Sequence, residues 1–138
     1  MRGSDRGTMA MFMVIFAFFV LVLGGLVLDG GMAIQARQRA TDVAEQAARA
    51  AANDIDVAHL RATGAVRIND TACGRAAAFV AQDGVTTLRD CAVSAGSDAV
   101  EVEVGLTVEP QLLSVIPGLS FHMSGSALAR PETGVVVP

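Results

Sequence analysis

The sequence predicts an α+β protein: a long N-terminal helix, transmembrane in its first part and amphipathic in its second, then a small head of one helix and a three-stranded antiparallel sheet. Three observations point to this class. An uncharged apolar run fills 9–28, a helix-forming stretch rich in small residues follows, and apolar and polar residues alternate from Val100 to Val108. At 138 residues the chain has room for one small domain and an appendage.

Hydrophobic residues make up 52% of the chain and mean hydropathy is +0.49, an excess that one segment accounts for. Met9 to Leu28 contains no charged residue. At about 1.5 Å per residue it spans about 30 Å, the thickness of a bilayer's hydrocarbon core. Secretory apolar regions are usually only about 7–15 residues, so a retained anchor fits better than a cleaved signal. A cut remains open as an alternative, because Gly31-Met32-Ala33 offers small residues where signal peptidase looks for them. Arg2, Arg6 and the terminal amine flank one end of the run, with Asp5 between them, and Asp29 flanks the other. The positive-inside rule then places a leader, 1–7, in the cytoplasm and everything after the anchor outside.

The second part of the helix reads MAIQARQRATDVAEQAARAAAND, dominated by strong helix formers. Ala33, Ala36, Ala40, Val43, Ala47 and Ala50 recur at steps of three and four, a narrow stripe on one face. Such a stripe permits close packing while burying little area, so it needs a neighbour. Glu45 and Arg49 stand four apart in the favourable order. Gly24-Gly25 and Gly30-Gly31 suggest a bend, a melted stretch or close helix–helix contact. Asn53-Asp54 ends the rod, giving a stalk over 8–53.

The head follows, 54–131. Asp70 or Thr71 caps a helix over 72–82, with Ala72, Ala76, Phe79 and Val80 inward and Gly84 as the stop. Cys91, Val93 and Ala95 alternate as a short strand, and Gly96-Ser97 supplies a hairpin turn. Val100, Val102, Val104, Leu106 and Val108 face in, opposite Glu101, Glu103, Gly105, Thr107 and Glu109. Pro110 ends that strand. After a loop through Pro117-Gly118, Leu119, Phe121, Met123, Gly125, Ala127 and Ala129 form a third, and 132–138 is a tail.

The two cysteines, Cys73 and Cys91, both fall in the extracytoplasmic part, where an even pair most often forms a disulfide. The bridge would tie the first turn of the head's helix to the adjacent strand. Chemistry of other kinds is thin. Net charge is −4, and no basic patch or aromatic platform suggests nucleic-acid binding. Without lysine there is neither a phosphate-binding loop nor a Ser-x-x-Lys nucleophile. Ser120 in GLSFH lacks the second glycine of a nucleophile elbow, and His59 and His122 stand apart, the first on a helix surface or the turn after it and the second on a polar strand face. Glu101 and Glu103 belong to a solvated face, and Asp54 and Asp56 do not continue into a calcium loop. Asn69-Asp70-Thr71 fits a glycosylation acceptor, a pattern that arises often by chance. The expectation is a protein with no catalytic or metal site, no cofactor and no small-molecule substrate.

The stretch DRGTMAMFMVIFAFFVLVLGGLVLDGG, followed by ARQRATDVAEQAARAAA, resembles the TadE/TadG-like proteins of tight-adherence (Flp, type IVc) pilus systems, closest to their short actinobacterial branch. The ending VEVEVGLTVEPQLLSVIPGLSFHMSGSALARP is similar to that branch's last strands. The resemblance implies a pilin-like fold and a minor pseudopilin, cut by a prepilin peptidase after a glycine and supporting pilus assembly beside other pilin-like proteins. Carried over by position, the cut falls between Gly7 and Thr8. The registry position, glutamate in most such proteins, is Phe12 here. Gly24 and Gly25 in lipid, with Ala36, Ala40, Val43 and Ala47 outside it, would be the stalk interface for a neighbouring subunit's helix. A second reading is a signal-anchored binding module with the helix as a mere tether.

Overall fold

Small side chains decide how this chain packs. In the computed structural model, which describes residues 5–112 and 118–132, Asp5–Ala52 form one uninterrupted helix, α1. Its 48 residues reach roughly 70 Å at 1.5 Å per residue. An interruption at the glycine pairs is not found: Gly24, Gly25, Gly30 and Gly31 all keep helical backbone. The penalty of about 1 kcal/mol per glycine is outweighed by helix-forming neighbours. Within lipid, an unwound stretch would also strand polar backbone groups. The segments 1–4, with the leader's Arg2, and 133–138, which holds nearly all of the expected tail, lie outside the described residues, as does 113–117 between the last two strands.

Two further helices lead to the sheet. The sequence reading gave the head one helix; the structure has two. Val57–Thr63 (α2) is a seven-residue helix, too short to show a periodic stripe. Its ends are nonetheless defined: the Asp56 side chain accepts from the His59 N–H, and Gly64 closes it at φ 73°. Ala72–Asp83 (α3) matches the expected span and stops at Gly84, φ 70°. As expected it buries Ala72, Ala76 and Val80. An isolated bridge between Ile55 and Ile68 draws the α2 excursion shut, with Ile68 fully buried.

The sheet is an antiparallel meander in the order β1 (Thr87–Val93), β2 (Val100–Val108), β3 (Phe121–Ala129). β2 coincides with the predicted strand. β1 begins four residues earlier than the alternation at Cys91 suggested, because a register shift at Arg89 disrupts the period of two there. The hairpin turn is held by Ser94: its N–H donates to the Ala99 carbonyl, and its hydroxyl takes the N–H groups of Asp98 and Ala99.

α1 and α3 cover one face of this sheet, and the other face is left to solvent. The core between them joins valines of β2 (Val100, Val102, Val104) to alanines of α1 (Ala44, Ala47, Ala48, Ala51) and α3. No aromatic ring is fully buried among the described residues; the largest such apolar side chains are Ile68 and valines. Small residues on both sides let helix and sheet approach closely. At Gly125 of β3 the approach is closest: a Cβ there would lie 2.6 Å from the Cα and Oγ1 of Thr41.

Candidate functional site

Two halves of α1 meet different surroundings, and the division falls at Asp29. From Met9 to Leu28 every side chain stands exposed on the monomer, Leu21 at 74% and Leu28 at 62% for example, and Gly25 alone is covered. The segment is long and apolar enough to cross a membrane. Phe12, at the position expected from the resemblance to serve registry, stacks on Phe16 one turn along, with ring centroids 6.3 Å apart. Thr8 and Gly7 lie within the helix.

Beyond Asp29 the stripe of small residues is already occupied. Ala36, Ala40, Val43 and Ala47 are all buried, at 6%, 0%, 8% and 0% exposure, under this chain's own β2 and β3. The seam expected for a neighbouring subunit's helix is therefore corrected to an intramolecular contact. The physical reason is the glycine and small side chains of β3, which let the sheet settle closely on the alanine face. The outer face of the stalk is polar: Gln38, Arg39, Asp42, Glu45, Gln46 and Arg49 remain exposed, and Glu45 pairs with Arg49 at 2.7 Å.

The two glycines of the anchor also part company. Nothing lies within 4 Å of a Cβ built on Gly24, so that face stays open. On Gly25 such an atom meets the Leu112 side chain at 3.4 Å. Four residues on, Asp29 is 1% exposed, and its Oδ1 accepts the N–H groups of Gln111 and Leu112 at 3.1 and 3.3 Å. The chain leaving β2 thus docks on α1 where anchor becomes stalk. Sequence reasoning missed this dock. Its only signal is a lone carboxylate at the edge of an apolar run, with Gln-Leu-Leu following the strand-ending Pro110.

The head is fixed to the stalk by polar ties and one covalent one. Cys73 and Cys91 form a disulfide with Cα atoms 5.8 Å apart, linking the first turn of α3 to β1. Arg39 of α1 pairs with Asp83 at the end of α3 at 2.8 Å. Donation from Arg39 and from the Thr86 hydroxyl holds the Asp83 carboxyl below its usual range. Just past α1, Asp54 accepts from the Thr71 hydroxyl (2.8 Å), the Asn69 amide (3.1 Å) and Arg75 Nε (3.1 Å). These bonds, Thr71 first, lower its pKa against the opposing effect of burial. Asn69, the candidate glycosylation acceptor, already spends its amide here.

His59 lies on α2, and His122 on the solvated face of β3 within hydrogen-bond reach of Thr107 and Ser120. That chain of groups ends in a hydroxyl on each side and brings up no carboxylate. The concavities at the surface, such as the one lined by Glu45, Arg49 and Ser126–Ala129, are open. Among the described residues no three His, Cys, Asp or Glu side chains gather as a metal site.

No curated protein and no solved structure matches this chain. A family model does: residues 7–54, the apolar segment and the stalk up to the Asp54 hub, about a third of the chain, are similar to the family described as "Putative Flp pilus-assembly TadE/G-like" (Tad).

Proposed function

We propose that this chain is a minor pseudopilin of a tight-adherence type IV-like pilus or a related secretion apparatus. It would be held in the cytoplasmic membrane by α1, with its leader inside and its head outside, and would act through packing of the anchor half of that helix. The observation that carries this reading is the division of α1: the small-residue face of the stalk is spent on its own head, whereas 9–28 is bare but for Gly25. In lipid, helices associate through small residues and close contact, and Gly24 supplies an open one. The basic leader supports the orientation. Removal of that leader by a prepilin peptidase between Gly7 and Thr8 is part of the same proposal. With Phe12 at the registry position, the subunit would join its neighbours by apolar packing and not through a glutamate ion pair.

Single cysteines test the interface. Placed at Gly24 or Leu21 in native membranes, they should cross-link to other pilin-like proteins, whereas cysteines at Val43 or Ala47, buried under the head, should not. Absence of any such adduct from the anchor positions, with the protein present at normal level, would sink the proposal. It would favour the tethered module, a reading that the self-occupied stalk otherwise supports: a head folded onto its own stalk needs no partner to complete its core.

A further inference from the structure

Depth along α1 says something about the head. Gly25 lies four residues inside Asp29, about 6 Å into the apolar run at 1.5 Å per residue. Leu112, in contact with Gly25, shares that depth, and it is 51% exposed on the monomer, comparable to Leu26 at 58% and Leu28 at 62%. A chain that spans the membrane through 9–28 therefore carries Leu112 into the hydrocarbon edge with it. We propose that the segment leaving β2, Gln111-Leu112, is a second membrane contact: Leu112 inserts into the outer leaflet of the bilayer beside Gly25, and the Asp29 carboxylate makes the insertion possible by taking the backbone N–H groups of Gln111 and Leu112.

The chemistry requires such a partner. Non-helical backbone entering lipid leaves donors without water, each costing several kcal/mol if unmet, and irregular chain survives there only when protein satisfies it. Asp29 serves those donors from the helix, at the level where headgroups begin, and is itself withdrawn from solvent by the chain it binds. Glycine at 25 leaves the hollow that Leu112 fills: a Cβ there would only touch Leu112, at 3.4 Å, but a side chain as large as leucine would claim its place. The consequence is orientational. A head attached by one helix can swivel, whereas a head touching the membrane at two points presents one fixed face of its sheet outward. Lipid is favoured as the occupant over a protein because Leu112 continues the belt formed by Leu26 and Leu28.

This proposal rests on the anchor reading, and the test separates the two. The full-length protein, whose only native cysteines are joined in the disulfide, carries a nitroxide at Leu112→Cys, Leu21→Cys or Thr107→Cys in phosphatidylcholine–phosphatidylglycerol vesicles. The ratio of oxygen to nickel-chelate accessibility is read at each. Leu112 should show a ratio several-fold above that at Thr107 and on the lipid side with Leu21. Adding Gly25→Leu should return it to the Thr107 value while the head's urea midpoint stays in place, which excludes simple unfolding. An aqueous ratio at Leu112 with a lipid ratio at Leu21 overturns the second contact and leaves the anchor standing. Aqueous ratios at both overturn the anchor reading and this inference with it.

Discussion

At Gly125 the strand lies directly on the helix backbone, so this residue has no room for a side chain. Gly125→Ala should destabilise the head by about 1–3 kcal/mol, the usual cost of overpacking, seen as a lower urea midpoint. Gly74→Ala, in α3 with nothing within 4 Å, should shift the midpoint the other way, by up to about 1 kcal/mol, because there alanine only favours the helix. Asp54 makes a different kind of demand. Its pKa is lowered from 3.8 by Thr71, Asn69 and Arg75, so the folded state binds its proton less readily than the unfolded chain. The stability this supplies is present above about pH 4 and is lost as pH falls through the folded value. Asp54→Asn should lower the midpoint at pH 6 and flatten its decline between pH 4 and pH 2; an unchanged acid limb would show that the hub contributes nothing through charge. These side-chain meetings were hardly legible in the sequence. Alternation placed Gly125 on the inward face but not against Thr41, and no local pattern announces that residues 54, 69, 71 and 75 will converge, since a chain reversal brings them together.

Elements were more legible, in proportion to their length and periodicity. β2 was readable to the residue because one of its faces is buried and the other solvated, and α3 because a glycine in the left-handed region ends it. α2 was invisible as a stripe, and β1 was read short because the irregularity at Arg89 breaks its alternation. The alanine stripe of α1 was correctly seen to want a neighbour. The sequence cannot say whose, since self-packing and packing against another subunit ask for the same small residues. At this scale the disulfide matters most. α3 and β1 meet over a core of alanines and valines, and the bridge closes a separation of 18 residues. Replacing both cysteines by serine should cost about 3 kcal/mol by loop-entropy reasoning, measured as a fall in the urea midpoint of the full chain in detergent. A midpoint that does not move would mean that the helix is held to the sheet by packing alone.

For the molecule as a whole, one helix has two jobs divided at Asp29. Its C-terminal half is the floor of the head's core, and its N-terminal half is bare and of membrane-spanning length, in the part of the chain that is similar to the pilus-assembly family. Phe12 belongs to this scale, because under the proposed function its exposed ring would face lipid or a neighbouring helix at the position expected for a registry glutamate. Phe12→Glu should lower the fraction of chains recovered in the membrane, since a charged residue within the span costs up to about 3 kcal/mol of insertion; unaltered recovery would indicate that this end of the helix lies in the interface. The measurement that bears most directly on a processed, membrane-held pseudopilin is the N-terminal residue of the mature protein, read by mass spectrometry from native cells with and without their prepilin peptidase. The account predicts a chain starting at Thr8 that disappears when the peptidase is absent. A chain starting at Met1 in both strains would contradict it and leave an uncut tether, and one starting at Ile34 would contradict it by removing the anchor altogether.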